Sequence, residues 1–258
     1  MKLAPLATNV FLGFLISLAP SLVNAELLFK DDFESGNIDG WQCSGNCATV
    51  TTSQPQAGTY ASKFTLTPKD PVSFRTELVP PESTFFVQGK EYWIGFSNKL
   101  VDWQRDNSEE LVLQTHTNFY NWDCALGGAE VGRQPISILT GSGNWQVVTS
   151  SGDEWSAPYT TGVWNNWVIH LKVSTGSDGF VEVWKDGVKV ISDTGPNYPA
   201  KDGCGNSLAP PYLKFGIYKW DWDKSGYRSQ PSQSTRREIH FDQVRIGHAA
   251  AGYADVAP

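Results

Sequence analysis

The sequence predicts an all-β protein, a two-sheet sandwich or jelly roll, on three observations. Short runs rich in Val, Ile, Trp, Tyr and Phe recur along the chain, several with strict apolar–polar alternation. Turn residues punctuate them: Ser35-Gly36-Asn37, Asp39-Gly40, Gly141-Ser142-Gly143-Asn144, Asp178-Gly179 and Asp186-Gly187. Beyond residue 25 no amphipathic stretch suits a helix of three turns.

The chain opens on Lys2, an apolar run from Val10 to Leu18, and then Val23-Asn24-Ala25. A basic start, a short apolar core and small residues before a cleavage point form a secretory signal peptide over 1–25. The expected mature protein is therefore extracellular and begins at Glu26. The apolar run is short for a membrane span, and no later segment approaches the ~20 apolar residues that one needs. With no linker, fixed-period repeat or low-complexity block, 26–258 is expected to form one domain.

Within it, Arg75–Leu78, Gln114–His116, Trp167–Val173 and Tyr212–Tyr218 each have strand character. Phe180–Val190 has the pattern of a hairpin, two alternating runs joined by Asp186-Gly187. Alternation sends successive side chains to opposite faces. Leu213, Phe215 and Ile217 face one way, while Tyr212, Lys214, Gly216, Tyr218 and Trp220 face the other. Arg75 and Glu77 oppose Thr76 and Leu78, and Gln114 and His116 oppose Leu113 and Thr115. If these three strands share a sheet, one face is apolar and the other carries a guanidinium, an amide, an imidazole, an ammonium and phenols.

The eleven tryptophans are a heavy load for 258 residues. Trp93, Trp164, Trp167 and Trp184 are expected in the core. Trp122, Trp145, Trp155, Tyr159, Tyr198, Trp220, Trp222 and Tyr227 lie in or beside loop-like stretches, where aromatic rings could stack on sugars. The net charge of −7 excludes a general nucleic-acid binder, which needs clustered Lys and Arg, and disfavours a heavily sulfated ligand. Four cysteines in an exported chain permit disulfides: Cys43 with Cys47 and Cys124 with Cys204 is one pairing of three. Zinc is the weaker reading, since no histidine lies near Cys43 and Cys47.

Such a polar face suits β-elimination from a uronic-acid polymer. The proton at C5 of a uronate is removable only when donors stabilise the charge that develops on the neighbouring carboxylate. Arg75 and Gln114 are apt donors, one by a charged fork and one by its amide. His116 or a tyrosine takes the proton, and Tyr218 protonates the departing O4. Lys214 stands near the carboxylate, Tyr212 and Trp220 contact substrate, and Glu77 orients Arg75 or Lys214. His170, His240 and His248 are expected to be structural.

The three motifs together resemble the jelly-roll polysaccharide lyases, in which Arg-x-Glu-Leu, Gln-x-His and Tyr-x-Lys-x-Gly-x-Tyr strands line a cleft. The Asp31-Asp32-Phe33-Glu34 opening and the ending from Phe241 to Gly247 are similar to the group of heparin lyase I and glucuronan lyase. The resemblance covers nearly the whole mature chain. It implies a concanavalin-like two-sheet jelly roll with a concave substrate groove. His116 and Tyr218 are the implied proton-transfer pair, and Gln114 and Arg75 the carboxylate neutralisers.

The acidic, compact chain lacks room for the basic thumb of heparin lyase I. Trp220 stands where alginate lyases carry Gln. Both departures favour an endo-acting β-1,4-glucuronan lyase over an alginate lyase. The resemblance further implies a structural calcium held by Glu34 and Asp242, with no organic cofactor; a monomer acting on an acidic polysaccharide, with no nucleic-acid or membrane partner, is expected. A non-catalytic carbohydrate-binding module is the rival from another class, though it needs no proton-transfer pair. A sandwich-fold hydrolase needs two flanking carboxyls, and neither Glu109-Glu110 nor Asp221 with Asp223 makes a convincing pair.

Overall fold

The computed structural model describes residues 27–68, 74–117, 134–152, 154–199, 201–202, 204–222 and 232–258. Its fifteen strands are all antiparallel and form two sheets. The first contains β1 (Leu27–Asp31), β3 (Thr49–Thr51), β4 (Ala61–Leu66), β6 (Glu91–Trp103), β11 (Trp164–Lys172), β12 (Phe180–Lys185), β13 (Val188–Thr194) and β15 (Arg237–His248). Their order is β13-β12-β11-β6-β15-β4-β3, with β1 also paired to β15. The second contains β2 (Gln42–Gly45), β5 (Arg75–Val79), β7 (Glu109–His116), β8 (Ile136–Gly141), β9 (Asn144–Thr149), β10 (Glu154–Pro158) and β14 (Tyr212–Tyr218), in the order β10-β9-β8-β7-β14-β5-β2. The expected jelly-roll sandwich is thus the observed architecture, with a single four-residue helix, α1 (Tyr253–Val256), among the described residues.

Aromatic packing joins the two sheets. Phe215 of β14 meets Phe96, Phe241 and Trp41 at ring distances of 5.5, 6.0 and 5.8 Å, each near perpendicular. Such edge-to-face pairs add to the area they bury. Because Phe215 lies between Lys214 and Gly216, the residue that fixes β14 to the core alternates with those that line its other face. The Asp186-Gly187 turn closes the β12–β13 hairpin with φ of 49° and 81°, a geometry in which glycine at the second position avoids a steric penalty.

Several aromatic placements differ from expectation. Trp167 is fully buried, whereas Trp93, Trp164 and Trp184 are only half-buried on the first sheet's outer side. Trp93 stacks on His170 at 3.8 Å there. Conversely Trp145, read as a loop residue, is a fully buried part of β9, and Tyr198 is buried too. Alternation carries no label for which face is the core, so a Trp on a strand's outer face looks like one on its inner face. Trp122, Tyr227 and Asp223 lie outside the described residues, as does the expected 1–25 leader. Among the described residues no helix is long and apolar enough to cross a membrane.

Cys43 and Cys47 form a disulfide, and Cys204 is disulfide-bonded as well. Its expected partner, Cys124, is outside the described residues.

Candidate functional site

The three motif strands are neighbours. β14 pairs with β7 on one side and β5 on the other, with Tyr212 opposite His116, Lys214 opposite Gln114, Gly216 opposite Glu77 and Tyr218 opposite Arg75. Directly opposed residues share a face, so seven polar or aromatic side chains stand on one surface. β2 adds Ser44, which opposes Glu77.

Two irregularities shape this surface. Gly216 has φ +140°, and a Cβ there would lie 2.2 Å from the Thr76 carbonyl oxygen and 2.9 Å from the Glu77 Cα. Only glycine lets β5 come this close. Between Phe215 and Tyr218 the β14–β7 register shifts, and β7 shifts against β8 between Leu111 and Leu113. A bulge inserts a residue and reverses which faces the following side chains take. Thus Gln114 and His116 share the motif face, Val112 and Leu113 both enter the core, and Leu111 sits beside Tyr218. Without the bulge, Glu110 would share the face of Gln114; it is buried behind it instead.

Glu77 is the hub. It is 2% exposed; its Oε1 accepts a 2.6 Å hydrogen bond from Gln114 Nε2. Its Oε2 lies 3.8 Å from Lys214 Nζ and 3.9 Å from Arg75 Nη1 and accepts no hydrogen bond. Glu77 thus stands within ion-pair distance of both cations expected beside it, Arg75 and Lys214. Lys214, also buried, donates to Ser44 Oγ at 3.3 Å. Burial raises the Glu77 carboxyl pKa against the opposing pull of Lys214, Gln114 and Arg75. Burial likewise lowers that of Lys214, opposed by Glu77. With the carboxylate ionised, two cations, Lys214 and Arg75, stand near it among the described residues, a positive setting that suits a ligand carboxylate.

His116 and Tyr212 meet at 5.4 Å between rings. Burial, and then the Lys214 and Arg75 charges, lower His116 to about 3, so its imidazole is neutral near pH 7. Burial raises the Tyr212 phenol, with Glu77 adding to the effect. At the other end of β14 the Arg75 guanidinium lies 4.3 Å from the Tyr218 ring centroid, a cation–π contact. Trp220 meets Tyr218 edge-on at 5.7 Å. The backbone positions of Tyr212 and Tyr218 are roughly 20 Å apart at ~3.4 Å per residue. His116 and Tyr218 therefore flank the charged cluster from opposite ends of the strand.

Phe85, which stacks on Tyr212 at 4.8 Å, has no sequence signature because it follows an irregular turn after Pro80-Pro81. Ser44 was also missed, since β2 is too short to show a period.

Glu34 and Asp242 approach one loop from distant parts of the chain. Glu34 Oε1 accepts the Thr59 and Tyr60 N–H groups at 2.8 and 2.9 Å. Asp242 Oδ2 accepts those of Gln56 and Ala57 at 2.9 and 3.2 Å. Asp242 sits where β15 exchanges β4 for β1 as its neighbour, beside Gln243 at φ 54°. Two carboxylates with lone pairs to spare are an oxygen donor set that fits calcium. Among the described residues, however, no group of three or more His, Cys, Asp or Glu gathers that could hold a metal.

Structural comparison places these features among known folds. An endo-β-1,4-glucuronan lyase from the fungus Trichoderma reesei is similar with a TM-score of 0.70 and 20% identity, covering 90% of this chain and 99% of that one. The cellulose-induced protein Cip1 is similar at TM-score 0.55 and 17% identity, over 85% and 96% of the two chains. A family 7 alginate lyase bound to substrate gives TM-score 0.51 and 15% identity, over 85% and 97%. At these identities the likeness is one of fold. Comparison with curated proteins found no match. The polysaccharide lyase family model matches residues 33–245, nearly the whole sandwich, and the chain belongs to that family.

Proposed function

We propose that this polysaccharide lyase cleaves a uronic-acid polymer by β-elimination, with endo action on β-1,4-glucuronan as the first reading and alginate as the alternative. The observation that carries it is the pairing register, which sets Arg75, Lys214 and Gln114 around Glu77 between His116 and Tyr218. The chemistry follows from that layout. The uronate carboxylate is drawn to Lys214 and Arg75 and takes hydrogen bonds from Arg75 and Gln114, which makes the C5 proton more acidic. Breaking the C5–H bond supplies electrons for the C4=C5 double bond as C4–O4 breaks, and O4 takes a proton from Tyr218. For His116, neutral before binding, to serve as base, its side chain and that of Tyr218 must both reach inward from the ends of the cluster to one uronate. The basicity of His116 rises when the substrate carboxylate offsets the two cations that hold it down. A syn course, appropriate to glucuronate or mannuronate, also allows Tyr218 to act as both base and acid.

The likeness to a fungal glucuronan lyase supports the substrate reading only through the shared fold. Residues 1–25 are read as a leader that exports the enzyme. Glu34 and Asp242 would hold a calcium ion whose contribution is to cross-link loop 56–60, with no catalytic step.

The test is absorbance near ~235 nm, where the unsaturated uronate product absorbs, with polyglucuronate, alginate blocks and heparin supplied separately. The expected result is a rise with polyglucuronate that disappears in Tyr218→Phe. His116→Ala then assigns the base: loss comparable to Tyr218→Phe makes it His116, whereas a modest loss leaves both transfers to Tyr218. Binding without any absorbance change would overturn the lyase mechanism for these polymers.

A further inference from the structure

A cavity of about 410 Å³ adjoins the His116 end of the polar face, lined by Glu82, Phe85, Val87, Ala209, Pro210 and Tyr212. It is continuous with the proposed site through Tyr212, whose ring Phe85 covers at 4.8 Å. Its volume lies in the range of small-molecule sites. Its chemistry, however, differs from that of the surface beside it. Around Glu77 two cations meet one carboxylate. In the cavity the described lining residues supply apolar and aromatic walls, one carboxylate and no cation. A free carboxylate placed there would meet the like charge of Glu82 and, among the described residues, no cation to offset it. An uncharged pyranose could lay its C–H face on Phe85 and Pro210 at no such cost.

We infer that this cavity is a subsite for a sugar unit without a free carboxylate, flanking the uronate that is cleaved. The inference rests on the reading of the groove as a uronate cleft and deepens it: the preferred stretch of glucuronan is one whose charge is interrupted by an esterified uronate beside the cleaved unit. Arg75, Gln114 and Lys214 would select a charged unit at the cleaved position, and Phe85 and Glu82 an uncharged one beside it.

The experiment compares polyglucuronate with the same polymer partly methyl-esterified, in wild type, Phe85→Ala and Glu82→Lys. Wild type is expected to cleave the esterified polymer with a several-fold lower KM. Phe85→Ala should erase that advantage by raising KM while kcat is kept, and Glu82→Lys should reverse it in favour of the fully charged polymer. A wild-type preference for the unmodified polymer, unmoved by either variant, overturns the inference. If no polymer is cleaved, the lyase reading fails separately, and the subsite is judged by calorimetry with cellotriose, a neutral trisaccharide. Binding lost in Phe85→Ala supports it; no binding, or binding unchanged in the variant, overturns it.

Discussion

Two buried charge clusters stand on opposite faces of the same sheet, and they differ in how closely their charges meet. Behind the site, Glu110 of β7 is enclosed between the sheets with Lys219, Arg237 and Asp106. Lys219 Nζ donates to Glu110 Oε2 at 2.5 Å and to Ser108 Oγ at 2.6 Å, while Thr140 Oγ1 donates to Glu110 Oε1 at 2.5 Å. Arg237 Nε lies 3.3 Å from Oε1, and Asp106 accepts from Ser232, Ser234 and Ser108. Asp221, also buried, adds a third carboxylate beside them. On the groove side, Glu77 has one oxygen with no hydrogen bond and two cations near 4 Å. Short charge-assisted contacts lock the inner cluster, whereas Glu77 holds its cations only at long ion-pair distance.

The largest expected effect comes from breaking the inner cluster. Glu110→Ala leaves Lys219 and Arg237 buried with too little countercharge, and removing one partner of a buried pair costs about 3–5 kcal/mol. At this chain length that is a fall in Tm of roughly 6–20 °C. The protein that remains folded should keep its KM. A changed KM at unchanged Tm would mean that the inner cluster is part of the site and would dissolve the contrast.

Next comes the groove. Arg75→Gln removes the charged donor expected to stabilise the developing carboxylate charge, and losing one such donor costs about 10²–10³ in kcat. Tm should fall less than in Glu110→Ala, because the Arg75 side chain is 25% exposed and lies 3.9 Å from Glu77, farther than Lys219 from Glu110 at 2.5 Å. Lys214→Met removes the other cation beside Glu77. It should raise KM and flatten the dependence of KM on ionic strength, and, because Lys214 and Glu77 are both buried, it should lower Tm as well. Equal losses of stability at Arg75 and Glu110 would show two structural clusters and no site.

A smaller effect concerns loop 56–60. If Glu34 and Asp242 share a calcium ion, adding a chelator should lower the wild-type Tm by a few degrees and leave that of Glu34→Ala unchanged. Equal melting curves with and without chelator would assign both carboxylates to the loop's N–H groups alone.

The residues explain what was legible beforehand. The faces of β5, β7 and β14 could be read from alternation because each motif spans only a few regular residues, and period-2 geometry is unambiguous over that length. That the three strands would adjoin followed from resemblance; alternation alone does not specify a neighbour. The inner cluster was illegible for a physical reason. Glu110 shares parity with Gln114 in the sequence, and only the irregular backbone at Val112 turns it to the other face. Its partners Lys219 and Arg237 are a hundred or more positions away. Trp145 was misplaced because the Gly-Ser-Gly-Asn turn beside it made a core strand look like a loop. The cavity at Phe85 arises where an irregular turn meets the start of β14, a contact that no local pattern encodes.

The smallest effect is the most diagnostic of the groove's electrostatics. Burial together with the Lys214 and Arg75 charges holds His116 at about 3, against about 6.5 in an unfolded chain. Below pH ~6.5 the unfolded chain therefore takes up a proton that the folded protein refuses until pH ~3. Bound protons favour the unfolded state across that window, so stability falls as the pH drops, by at most ~1.4 kcal/mol per pH unit from this group. His116→Asn removes the titration. Its Tm should decline less steeply than that of wild type between about pH 6.5 and pH 4. A saturating non-cleaved oligouronate should shrink the wild-type slope towards that of the variant, because its carboxylate offsets the two cations. Parallel slopes without ligand would mean that His116 is not held neutral. A ligand-insensitive slope would mean that the carboxylate binds elsewhere, leaving Lys214 and Arg75 without their proposed use.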